Sequence, residues 1–344
     1  MKLGITGLAG SGKTTTFEAL TGEFSEAGNK MENRLGTIRV PDARIDQLSE
    51  IFNPKKTIYA QVEYFLPGKS GRAKDSGKED ASWTAVRDAD ALIHVIRNFK
   101  MFGLEEPNPA TDFSALDQDL ILMDLAQTEK RIERMEVEAQ KVKKPDPEER
   151  ELLDECNQSL ESETPLRRHP HLAFAHKLKG YAFYSAKPML VLFNNEDEDN
   201  ALPEASPIFE QEDCMIIRGK LEHELAQMTE EESAELLEEF EISAAATDRV
   251  VKQSYKLLGL ISFFTVGEDE VRAWTIKKGT AAVDAAEVIH SDIKKGFIRA
   301  EVISYDDFMD AGSMANAKKK GTLRLEGKTY AVQDGDIINF RFNV

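Results

Sequence analysis

The 344-residue chain carries 44 Lys and Arg against 62 Asp and Glu, a formal net charge of −18, and is 41% hydrophobic. That length supports two or three domains with real cores, and the acidity excludes general adhesion to a phosphate backbone, so DNA is not an expected partner and RNA would need a local basic patch. Apolar runs such as 189–193 are only strand-sized, no basic apolar leader opens the chain, and Cys156 and Cys214 make no disulfide framework, so a cytoplasmic protein without membrane contact is expected.

Residues 1–6 read as a short apolar strand, and Gly7-Leu8-Ala9-Gly10-Ser11-Gly12-Lys13-Thr14 follows at once with the G-x-x-x-x-G-K-[ST] spacing. Glycines let the backbone curl so that successive N–H groups point into one concavity at the positive end of the next helix. Lys13 would reach the β- and γ-phosphates of a nucleotide, and the Thr14 hydroxyl would ligate Mg²⁺. A chance glycine turn is the bland alternative. The apolar strand before it and the helical run from Thr15 to Leu20 after it favour the phosphate loop.

Residues 26–34 are polar and without periodicity, an exposed loop. Residues 37–40 read as a strand, and Pro41 opens a helix that carries Ile45, Leu48 and Ile51 on one face. A strand at 59–66 ends in Tyr64-Phe65-Leu66-Pro67-Gly68, where a Mg²⁺-side carboxylate would be expected. Glu63 lies too early, and 69–78 form a glycine- and lysine-rich loop that includes Asp75. A helix at 81–87 leads to the strand 91–96, with Asp88 and Asp90 as turn residues at its amino end.

From Asp112 the pattern changes. Leu125, Thr128, Ile132, Met135, Ala139 and Val142 step by three and four, Pro145-Asp146-Pro147 ends that helix, and Leu153, Cys156 and Leu160 resume the spacing on a returning one. An antiparallel helical hairpin inserted between strands is predicted. His169, His171 and His176 read as a surface loop rather than a metal cluster, because Pro170 breaks their register. The sheet resumes at 187–193 and leads into Asn194-Asn195-Glu196-Asp197, an N-x-x-D tetrad of the kind that holds a nucleobase downstream of a phosphate loop. A further strand, 214–218, and an acidic helix, 230–240, follow. Alternation at 272–276, 298–302, 322–325 and 337–342, with one helix at 281–290, predicts a mixed β-grasp sheet. Lys294, Lys295 and Arg299, with Lys318, Lys319, Lys320 and Arg324, form the clearest basic concentration. It is either a face for ribosomal RNA or a solvated edge.

The phrases Phe263-Phe264-Thr265-Val266-Gly267, Glu270-Val271-Arg272-Ala273-Trp274-Thr275-Ile276, 290–302 and 332–344 resemble the C-terminal domain of the YchF group of Obg-like ATPases. Residues 41–48, 90–97 and 250–260 extend the resemblance in order along the chain. It implies an α/β fold: a P-loop domain with a parallel-type sheet at 1–112 and 186–260, a coiled-coil insertion at 113–185 and a β-grasp TGS domain at 261–344. It also implies binding and hydrolysis of ATP in preference to GTP, with Mg²⁺, and association with the ribosome, expected here at the large subunit. The phosphate site falls on Gly10, Ser11, Gly12, Lys13, Thr14 and Thr15, with Thr14 on the metal. The base site falls on Asn194, with Asn195 and Asp197 beside it, and the candidate RNA contact on Lys294, Lys295 and Arg299.

Three departures bear on hydrolysis. The first switch segment with its threonine is shortened between Ala27 and Gly36, the D-x-x-G of the second switch is replaced around Phe65-Leu66-Pro67-Gly68, and the family's histidine beyond the Ile-His-Val strand has no counterpart at 99–113, since His94 lies inside the strand. Asp197 stands where the family has glutamate, which moves the tetrad towards guanine reading. A weak ATPase or GTPase is therefore the first expectation, and a non-hydrolysing, nucleotide-dependent binding module for a protein or RNA partner is the second.

Overall fold

The computed structural model describes residues 1–24, 32–68, 81–140, 145–204, 208, 210–239 and 246–343. Much of the expected first-switch loop and the glycine- and lysine-rich loop with Asp75 lie outside the described residues, as do Val142 of the hairpin seam and Phe240 of the acidic helix. In chain order the strands are β1 Lys2–Thr6, β2 Arg34–Arg39, β3 Lys56–Ile58, β4 Gln61–Leu66, β5 Ala91–Asn98, β6 Met189–Asn195, β7 Asp213–Ile217, β8 Leu260–Val266, β9 Glu270–Lys277, β10 Phe297–Ser304, β11 Arg324–Glu326 and β12 Asp336–Phe342. The chain divides into two units, one of residues 1–36 and 63–247, the other of 37–62 and 248–344. Residues 37–62, expected with the nucleotide domain, thus group with the C-terminal unit.

The first unit is built on a six-stranded sheet ordered β2-β4-β1-β5-β6-β7, of which β2 and β4 carry the chain across the divisions at 36/37 and 62/63. β1 pairs in parallel with β4 and β5, β5 with β6, and β6 with β7, so the carboxyl ends of five strands converge on one edge. β6 is buried along its whole length and β5 over its first six residues, as unbroken apolar runs require in a parallel sheet covered on both faces. β6 continues past the apolar run through Asn194 and Asn195, where the sequence pattern ends the strand at Phe193.

Between β5 and β6 stands the hairpin. Its long helix, Pro109–Ala139, starts where the Asn108 side chain accepts the Thr111 N–H at 3.2 Å, with proline in the first turn. The returning helix, Pro147–Glu161, is capped by Asp146. Ile121, Met135, Leu153, Cys156 and Leu160 close the seam, while Ala139 is exposed, so the packed seam ends before the tip. The histidines at 169, 171 and 176, expected in a surface loop, stand in or beside short helical turns over 166–181 that insert Leu166, Leu172 and Leu178 into this core. Each buried leucine there contributes about 2 kcal/mol of burial energy. At the base of the hairpin, the buried Asp124 carboxylate accepts the N–H groups of Tyr184 at 2.9 Å and Ser185 at 2.7 Å, which staples the long helix to the run entering β6.

The second unit has its own six-stranded sheet, β11-β10-β12-β8-β9-β3. β8 and β9 form an antiparallel pair, β12 runs parallel to β8 and antiparallel to β10, and the helix Ala282–Ile289 packs its alanine face on the sheet. This is the β-grasp arrangement that the alternating segments predict. β3 adds an edge strand parallel to β9, and the helix Ala43–Phe52, capped by Asp42, stacks Phe52 on Phe308. No helix among the described residues is long and apolar enough to cross a membrane.

Candidate nucleotide-binding site

At the end of β1 the chain turns through Gly7, Gly10 and Gly12, all at positive φ, and enters the helix Lys13–Thr21 without an intervening loop. A Cβ at Gly7 would run into the Val95 carbonyl oxygen, and one at Gly12 into the Asn194 amide nitrogen, so both positions demand glycine. Lys13 is half-buried and its Nζ donates to the carbonyls of Gly7 and Leu8, each at 2.8 Å, which holds the ammonium over the turn. Thr14 and Thr15 occupy the first helical turn, and the Ser11 Oγ is buried with no protein partner. Glycines at positive φ that lead into a helix N-terminus, a fixed cation and a buried hydroxyl without a protein partner suit a polyphosphate. One hydroxyl beside the phosphates suits Mg²⁺, which keeps most of its water and asks for few protein ligands.

Asn194 closes the site from the neighbouring strand. Its Nδ2 donates to the Ser11 carbonyl at 3.1 Å and its Oδ1 accepts the Gly219 N–H at 2.9 Å, so one buried amide ties the phosphate loop to the helix Gly219–Leu225. Asn195 faces away from the loop. Its amide donates to the carbonyls of Asp199 and Ala201 and accepts from Asn98, which fixes the turn after β6. The half-buried Asp197 accepts the Leu221 N–H at 3.1 Å and pairs with Lys220 at 3.3 Å, while Arg218 donates to its carbonyl. The structure therefore joins Gly10 to Thr15 with Asn194, and Asp197 with Arg218, Lys220 and Leu221. None of the last three is a site residue on the sequence alone, where Arg218 reads only as the end of the strand 214–218. A glycine two residues past β7, a strand next to β6 in the sheet and ending at the same edge, was the available signal.

His94 lies under this edge, opposite Thr6 in the ladder, and stacks on Phe113. Burial, then the charges of Arg167 and Lys13, lower its pKa to about 3, so the imidazole is neutral. At the end of β4, Phe65 and Leu66 are buried and the Gly68 N–H donates to Asn33, while Glu63 sits opposite Lys2 at the other end of the ladder. Asp90 accepts the Lys2 N–H, as a turn residue.

In the second unit, Lys294 pairs with Asp284 at 3.0 Å and with Glu287, and Lys295 with Asp292 at 3.2 Å. Arg299 stands opposite Arg341 across the β10–β12 ladder. Two of the three candidate RNA-contact cations are thus balanced by neighbouring carboxylates.

A family model for YchF-GTPase_C, described as a protein of unknown function (DUF933), matches residues 260–343. The ribosome-binding ATPase YchF of Bacillus subtilis is 37% identical over 361 residues, covering 99% of this chain and 99% of that protein. The protein of the same name from Escherichia coli O157:H7 is 36% identical and covers 100% of this chain. Among solved structures, the Schizosaccharomyces pombe YchF GTPase superposes with a TM-score of 0.84 at 26% identity, over 99% of this chain and 97% of that one.

Proposed function

Because the chain belongs to the YchF family, we propose that it is a cytoplasmic, ribosome-associated P-loop protein that binds ATP or GTP with Mg²⁺ and hydrolyses it weakly. The observation that carries the reading is the bond from Asn194 to the Ser11 carbonyl, which couples the phosphate loop to the N-x-x-D turn. In this reading the N–H groups from Gly10 to Thr15 cradle the phosphates, and Lys13 leaves two neutral carbonyls for charged oxygens, a stronger acceptor. Asn194 and Asp197 hold the base, with Asn195 shaping the turn behind them. Mg²⁺, on the Thr14 hydroxyl, supplies neutralisation of the β- and γ-phosphate charge. The names of the bacterial relatives favour ATP; the aspartate at 197 favours guanine reading.

Weak turnover follows from what surrounds the loop. Hydrolysis needs a positioned water, and the described residues offer an apolar end to β4 and a buried, neutral His94. The same observations favour the second reading, in which bound nucleotide organises the protein for a partner without being cleaved. For ribosome contact, the second unit has nineteen Lys and Arg against seventeen Asp and Glu, while the first has 25 against 45. The second unit is thus the side suited to rRNA of the large subunit, with Arg299 and then Lys294 and Lys295 as its contacts.

Calorimetry with ATP and GTP in Mg²⁺, together with phosphate release, tests the reading. Lys13→Ala should lower affinity roughly ten- to hundredfold, the value of a hydrogen bond to a charged group. Binding without Lys13-dependent release would select the second reading, and no binding of either nucleotide would end both.

A further inference from the structure

The turn between β5 and the long helix of the hairpin displays an apolar knob beside the phosphate loop. Phe102 is fully exposed, and Met101 and Leu104 are half exposed, at 51% and 50%. A mobile loop would fold such side chains back; this one is held open. Arg97 donates to the Phe99 carbonyl at 3.3 Å and to the Glu105 carbonyl at 2.8 Å, the Lys100 N–H donates to the Glu196 carboxylate at 2.9 Å, and the Leu104 N–H donates to the Met101 carbonyl across Gly103 at φ 82°. The Leu104 side chain comes within 3.4 Å of where a Cβ would stand on Gly10, and the Phe99 ring within 3.9 Å of one on Gly12. Whatever seats on the knob therefore sits against the phosphate loop.

Single exposed apolar residues are ordinary, but three on one stapled turn amount to a patch, and patches of this kind mark interaction sites. Its rim decides the partner. Glu105 and Glu106 follow it directly in the chain and Glu196 bonds the Lys100 N–H, all three exposed; the one lysine of the turn, Lys100, is already paired with Glu106 at 3.3 Å, and the unit carries a net charge of −20. Such a rim repels RNA and anionic lipid and attracts a basic protein surface with an apolar pocket.

We propose that Met101, Phe102 and Leu104 form a docking knob for a basic protein on the ribosome, seated beside the nucleotide phosphates. The proposal rests on the ribosome reading above. It differs from the rRNA contact assigned to the second unit in its place, its sign of charge and its partner class.

The test uses the full chain and purified bacterial ribosomes. Met101→Ser with Phe102→Ser should lower ribosome affinity in co-sedimentation at least tenfold and leave nucleotide affinity within twofold of the parent, since neither side chain supports the core. Phe102→p-benzoylphenylalanine should photocrosslink to a ribosomal protein. Undiminished pelleting of the serine variant, or a crosslink to RNA, would overturn the knob while leaving ribosome association intact. Failure of the unaltered chain to pellet would remove the ribosome reading and the knob together.

Discussion

The two units solve the same problem, a six-stranded sheet with polar side chains inside it, in opposite ways. In the second, buried or half-buried polar groups are closed into local circuits: Tyr255 bonds Ser262 and Thr275, Asp336 bonds Tyr330 and the Gln333 N–H, and Asp334 bonds Arg44 and the Ser262 N–H. In the first, buried polar atoms without a protein partner remain, among them Ser11 Oγ, Thr16 Oγ1 and both ring nitrogens of His94, and none comes from the second unit among the described residues. Unsatisfied buried groups cost stability. Those of Ser11 and His94 lie at or beneath the edge where parallel strands end together, where α/β sheets bind ligands, while Asn157 Oδ1 and Arg167 Nη1 belong to the hairpin and the turns after it. The first unit gives up internal satisfaction for binding, and the second keeps it for rigidity. Each holds one of the two tryptophans, Trp83 in the first and Trp274 in the second, so their fluorescence reads the units separately.

The largest expected effect lies where the first unit's polar edge is pinned. Asn194→Ala leaves the Ser11 carbonyl and the Gly219 N–H unmet in a buried place. A loss of roughly 3 kcal/mol follows from two such groups, together with weaker nucleotide binding. Urea melts read at Trp83 should shift while those read at Trp274 should not. An unchanged Trp83 midpoint would mean that the amide holds nothing together.

A comparable effect depends on pH. Burial, opposed by bonds from Ser185 and Tyr184, pushes Asp124 up to about 6. The folded form binds its proton more tightly than the unfolded form, whose value is near 3.9. This contribution to stability is therefore full below pH 4, falls as pH rises from 4 to 6, and is flat above. The span is roughly 3 kcal/mol at 1.36 kcal/mol per pKa unit. Asp124→Asn should remove that slope from the Trp83 melts, and a variant with the parent's slope would contradict the assignment.

His94 acts in the other direction. Its folded value, about 3, lies below the unfolded 6.5, so its contribution is intact above pH 6.5 and is lost as pH falls towards 3. At pH 5 the loss is about 2 kcal/mol. A His94→Leu variant should resist acid better than its parent between pH 6.5 and 4, and equal acid sensitivity would show that the imidazole is not held neutral.

The same contrast explains what the sequence made legible. The phosphate loop, β5 and the run into β6, and the hairpin seam from Leu125 to Met135 are local patterns, each with one mechanism behind it, and they lie where the spacing puts them. The role of Arg218 to Leu221 was hidden, because it arises from a neighbour in the sheet rather than in the chain. Asn194 and Asn195 look like turn residues, yet they stay in the strand because each finds partners there. The grouping of 37–62 with the C-terminal unit depends on pairing Lys56 with Glu270, across more than two hundred residues, and nothing local announces it. The turns at 166–181 were hidden by their histidines and Pro170, while three leucines buried in the hairpin core set their structure.

The smallest expected effect tests the second unit's self-sufficiency. Asp42 caps the helix Ala43–Phe52 by accepting the Arg44 N–H at 3.0 Å, and it also binds the Arg44 guanidinium, whose other partner is Asp334. Burial pulls the Arg44 pKa down, and the bonds and charges of Asp42 and Asp334 together outweigh it and leave it raised. Asp42→Ala removes the cap and one side of the clamp, which costs about 1 kcal/mol for the cap. Asp334 still holds Arg44, so the loss should stop there. The melt read at Trp274 should move by a few degrees, and nucleotide affinity should stay put, because the circuit closes within its own unit. A shift in nucleotide affinity would show that the polar economies of the two units are joined, and would break the contrast between them.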